Sequence, residues 1–177
     1  QSAMFYPLNW LYFIVHPKTG LGLSAALHFF LGGLFVFGLG RTWRLSVLPA
    51  LFAALAFSYG GFMVTWIELP TLPNSLIWLP LAWWGIELIV RGRAVPLSGA
   101  QSPRAKERGR GEDDVASWCG PLMLATALGM TLLAGHFQIA AYVWIFAFVY
   151  ALVRLLNRTT PQRGRRVGAV TLAAALG

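Results

Sequence analysis

Residues 20–40 read GLGLSAALHFFLGGLFVFGLG, a run without one charged residue, and this stretch decides the fold. A bilayer core about 30 Å thick takes about 20 mostly apolar residues in a helix, because lipid offers the backbone no hydrogen-bond partner. The run meets that length. Four more do on the way to the C-terminus, at residues 45–66, 72–90, 116–134 and 138–156, and a sixth opens at Val167 and is cut off at Gly177. The predicted fold is therefore all-α: a polytopic transmembrane helix bundle of five full spans and a truncated sixth, one unit over residues 1–177. Ahead of the first span, residues 5–15 are apolar and aromatic but too short to cross. Pro7, Trp10 and Tyr12 suit an interfacial or re-entrant segment there.

Composition points the same way. The chain is 57% hydrophobic and 11% charged, against about 25% charged for soluble domains. Fourteen Lys and Arg against six Asp and Glu leave a net charge of +8. In a soluble chain that excess would suggest nucleic acid, but here the cations sit in the loops between apolar runs, so no nucleic-acid partner is expected. Basic residues in short loops are retained on the cytoplasmic side. Arg41 and Arg44 follow the first span, six more cations lie between Arg91 and Arg110, and five follow the fifth span, whereas only Lys18 falls on the other side. The expected protein is multi-pass in a cytoplasmic membrane, with its N-terminus outside and a flexible cytoplasmic loop at 91–115. A cysteine placed at Ser102 should accordingly escape an impermeant thiol reagent added to intact cells; labelling from outside would invert the topology.

The single cysteine, Cys119, excludes an internal disulfide framework and CxxC-type metal sites, and no His, Asp or Glu cluster has metal-ligand spacing. No metal or cofactor is expected. The chain lacks an initiator Met and ends inside an apolar run, so it reads as an internal piece of a larger membrane protein. Ser24, His28 and Gly32 at four-residue spacing, and the small residues from Ala53 to Gly61, mark faces where helices approach closely.

The topology collects Tyr6, Asn9, His16, Trp66, Glu68, Asn74, His136 and Gln138 at the outer side, with His28 about two turns deeper. Glu68, the only outward carboxylate, is the first candidate for general acid or base work; an ordinary loop carboxylate beside Pro70 is the alternative. His136 and Gln138 stand in a break between two apolar runs, where they either meet a phosphate or sugar hydroxyl or cap the hairpin. His28 suits an interhelical hydrogen bond more than a ligand contact. Glu87 lies four residues before Arg91, the spacing of a local ion pair. Asn157-Arg158-Thr159 matches a glycosylation sequon on the wrong side of the membrane and is set aside.

Five stretches in order resemble one family: QSAMFYPLNW at 1–10, ALHFFLGG at 26–33, FSYGGF at 57–62, WLPL at 78–81 followed by Glu87, and LAGHFQ at 133–138. The order is similar to that of the bacterial YfhO-like membrane proteins of the glycosyltransferase C superfamily. The resemblance implies a membrane enzyme that takes a sugar from a polyprenyl-phosphate donor and attaches it to an acceptor at the outer face of the bacterial inner membrane. It places the acidic catalytic residue in an external loop upstream of Gln1, leaving Glu68 as the best candidate here. In that reading the residues the topology collects at the outer side, Tyr6, Asn9, Asn74, His136 and Gln138 with His28, are the substrate-binding candidates. Phe137 stands where the family often has proline. A different class of function competes: a non-catalytic transmembrane subunit that packs among membrane lipids and other membrane subunits by its helix faces. A transporter wants buried charges along a path, and only His28 approaches that.

Overall fold

The computed structural model describes residues 3–67, 69–92 and 103–159, and every element within them is helical. Two 3-10 turns, Ala3–Phe5 and Pro7–Trp10, lead into α1 (Leu11–Ile14) and α2 (Pro17–Thr42). There follow α3 (Val47–Ser58), α4 (Gly61–Thr65), α5 (Thr71–Leu76), α6 (Trp78–Gly92), α7 (Pro103–Leu133) and α8 (Phe137–Thr159). Three stretches are long and apolar enough to cross a membrane: Lys18–Thr42, Val47–Thr65 and Phe137–Asn157.

The other two expected spans differ for physical reasons. Pro80 has no N–H to offer the Leu76 carbonyl and its ring crowds that group, so the 72–90 run divides into α5 and α6. In the 116–134 run the apolar helix is Trp118–Leu133, below crossing length by itself. Val47–Thr65 is also interrupted, at Gly60, where a Cβ would lie 2.8 Å from the Ala56 carbonyl oxygen. Only glycine tolerates that approach. Because α7 begins at Pro103, part of the stretch read as a flexible loop, 91–115, is helix; 93–102 lie outside the described residues. So do Glu68 and the truncated span from Val167.

At the centre of the bundle α6 packs against α2, α7 and α8. It buries Leu81, Ala82, Ile86 and Val90. Glycines set the closest approaches. A Cβ on Gly32 would meet Ile77 and Phe57 side chains at 3.2 Å, and one on Gly38 would stand 2.3 Å from the Trp84 ring. Where α6 crosses α7, Gly85 and Gly120 bring backbone against backbone. The α2 face of Ser24, His28 and Gly32 is buried, as its small-residue spacing predicts.

The outside is apolar. Phe30, Leu48, Phe52 and Phe148 are 66–76% exposed, while Ser24, His28, Asn74, Glu87 and Thr131 are buried. A soluble monomer seldom leaves so much contiguous apolar surface to water. Polar groups inside and large hydrophobes outside are what a lipid surround selects.

Candidate functional site

At the end of the bundle where α2 and α6 begin, the N-terminal turns tuck one side chain into the core. Tyr6, fully buried, lies with its hydroxyl 2.8 Å from His28 Nε2. His28 Nδ1 is 2.6 Å from the Ser24 carbonyl oxygen, one turn earlier on α2. A carbonyl only accepts, so Nδ1 carries the proton and Nε2 accepts from the Tyr6 hydroxyl. The Tyr6 oxygen in turn accepts from the Trp78 indole N–H at 3.1 Å, with the Asn74 carbonyl 3.4 Å away. The result is a directed chain, Trp78 to Tyr6 to His28 to Ser24, joining the N-terminal segment to α2 and α6. The segment is held a second time where Gly20 accommodates the Tyr12 ring, which would stand 2.9 Å from a Cβ there.

Beside this cluster an apolar groove of about 640 Å³ opens between α2 and α3. Ala26, Phe30, Gly33 and Leu34 line it from α2, and Leu51 and Leu55 from α3. A small crevice that reaches His28 and Asn74 shares Ala25, Phe29 and Ile67 with the groove. Lys18, exposed, stands one helical turn above Gly22 at the groove's end. The groove thus has a hydrocarbon wall along the helices and a polar end.

The structure brings Tyr6, His28 and Asn74 together. Asn9 is half-buried in the adjoining 3-10 turn, its backbone N–H donating to the Tyr6 carbonyl at 2.9 Å. His136 and Gln138 are placed differently. His136 Nδ1 accepts the Ile139 backbone N–H at 3.4 Å, the geometry of a helix cap at the start of α8. Gln138 donates to the Tyr142 hydroxyl at 2.8 Å on the exposed side of the same helix. Among the described residues no three His, Cys, Asp or Glu side chains gather as metal ligands.

The opposite end holds a second polar cluster. Glu87, fully buried, accepts from Arg91 Nε at 3.1 Å, the expected i,i+4 pair. It also accepts from Arg154 Nη2 at 2.8 Å and from the Tyr150 hydroxyl, both on α8. Trp83 stacks on Tyr150 with ring centroids 5.1 Å apart, and the Trp43 indole donates to the Tyr150 hydroxyl at 3.3 Å. Sequence reasoning found the Arg91 pair and missed Arg154 and Tyr150. The available signal was the depth of Glu87: a carboxylate inside an apolar helix needs more partners than one exposed arginine supplies.

An apolar exterior, three membrane-length helices and buried polar ties define the class as a helical membrane-protein bundle. A comparison with protein-family models, with curated proteins and with solved structures finds no match to this chain.

Proposed function

We infer that the chain is the membrane-embedded part of a glycosyltransferase using a polyprenyl-phosphate sugar donor at the outer face of the bacterial inner membrane. In this reading the α5–α6 pair and the apolar part of α7 cross alongside the three long helices, giving five spans, and Lys18 and His136 lie outside. The observation that carries it is the α2–α3 groove. An isoprenoid tail must stay in hydrocarbon while its phosphate remains among the headgroups, and a groove walled by Ala26, Phe30 and Leu34 that ends near Lys18 suits both. Tyr6, Asn9, His28 and Asn74 support that end; Glu68, His136 and Gln138 are the remaining candidates for the sugar and acceptor.

Ala26 is exposed on the groove wall, so Ala26→Trp fills the groove at little cost to the core. With a photoreactive polyprenyl phosphate in native membranes, Ala26→Trp should lose most of the labelling that wild type shows. A lipid-facing control, Phe148→Trp, should keep it. Equal labelling of all three would remove the support for a carrier groove. It would then favour a non-catalytic subunit packed among other membrane proteins, a reading already favoured by one observation: Tyr6, His28 and Trp78 direct their hydrogen bonds at one another.

A further inference from the structure

We propose that the Glu87 cluster is a binding site for the phosphate of an anionic phospholipid headgroup in the leaflet at the basic end of the bundle. One carboxylate holds two guanidinium groups: Arg91 and Arg154 both contact Glu87 Oε2, at 3.1 and 2.8 Å. The cluster therefore carries one positive charge beyond neutrality. Two cations drawn onto one carboxylate, with Arg154 reaching Oε1 as well as Oε2, repel each other, and an anion bridging their free sides relieves that repulsion. Neither arginine is sealed in: their side chains are 41% and 35% exposed, while Glu87 beneath them is inaccessible. The carboxylate thus serves as an anchor that fixes the forks and leaves their outer edges to a ligand.

Depth identifies the ligand's carrier. Trp43, just past the end of the Lys18–Thr42 span, bonds Tyr150, and tryptophan favours the headgroup level of a bilayer. Arg91 is in the last turn of α6. Basic pockets between helices at that level bind anionic headgroups. Phosphate dissolved in water has the same chemistry, so the experiment separates the two sources. The inference is independent of sugar transfer and concerns the other end of the molecule.

The test uses the full chain purified in detergent, exchanged into nanodiscs of mixed phosphatidylglycerol and phosphatidylcholine, with retained lipid measured by native mass spectrometry. Wild type should retain phosphatidylglycerol preferentially. Arg91→Gln should lower that retention about fivefold, the scale expected for one basic residue near a membrane surface. Arg44→Gln, which removes an exposed cation from the α2–α3 turn, should leave it nearly unchanged. Arg91→Lys keeps the charge and should retain the lipid. Equal loss in Arg91→Gln and Arg44→Gln would reduce the effect to diffuse charge and overturn the site. Loss in Arg91→Lys equal to that in Arg91→Gln would trace the effect to packing and overturn the site as well. Inorganic phosphate that displaces phosphatidylglycerol and stabilises wild type by itself would assign the site to a soluble anion and overturn the lipid assignment.

Discussion

Replacing Glu87 with alanine should cost about 1.5–3 kcal/mol of stability, the scale of lost hydrogen bonds to a charged group, because water reaches both of its arginine partners. The reason lies in what remains. Arg154 and Arg91 would keep water at their outer edges but lose their counter-charge, and the Tyr150 hydroxyl would lose its acceptor, where the intact protein gives all three the same carboxylate. Tyr150→Phe should cost about 1 kcal/mol, since it deletes a single hydrogen bond and leaves the ions paired. A double variant, Glu87→Leu with Arg154→Met, should recover much of the loss, because it removes the less exposed arginine together with the carboxylate and leaves only Arg91, which water reaches. Unfolding in mixed detergent micelles measures all three. If Glu87→Ala unfolds with wild type, the cluster does not fasten α6 to α8.

The second large effect is expected at the α6–α7 crossing. A Cβ on Gly85 would stand 2.8 Å from both the Gly120 carbonyl oxygen and the Leu124 backbone nitrogen. Side chains can swing away from an intruding atom; backbone cannot. Gly85→Leu must therefore part the two helices, and the cost should exceed the roughly 1–3 kcal/mol typical of core overpacking. Gly129, also on α7, has nothing within 4 Å of its added Cβ, so Gly129→Leu should be nearly silent. Thermal melting of the two variants in detergent compares them directly. Similar melting temperatures would mean that α6 and α7 do not meet at these glycines.

How far the sequence could be read depended on whether the information was local. Residues 20–40 and 138–156 lie within α2 and α8 because both runs are predominantly apolar and contain no proline. The break after Leu76 was also legible, in Pro80, but hydropathy averages over such a residue and hides it. The four-residue spacing of Ser24, His28 and Gly32 marked a buried face correctly. What that face meets was not legible: Tyr6 lies 22 positions from His28 and 72 from Trp78. No helical period encodes such distances. Arg154 is likewise 67 positions from Glu87. At the α7–α8 turn, Gly135 adopts φ 86° and His136 caps the next helix, a local arrangement that residue type alone left divided between cap and ligand.

The position of α6 has a consequence for synthesis. Among the described residues it is the most enclosed of the long helices, yet it is only 15 residues long and carries a carboxylate. In the five-span reading, a segment so short that also carries a carboxylate near its end is a poor candidate to leave the translocon unaided. The earlier helix α2, against which α6 packs, must already stand beside it. Arg154, the partner that completes the Glu87 cluster, emerges 67 residues later. Until then the nascent helix has one cation within reach, Arg91, one turn away on its own surface. In that reading the pair escorts the carboxylate into the bilayer, and the later arrival of α8 adds Arg154 and Tyr150 to a partnership already made.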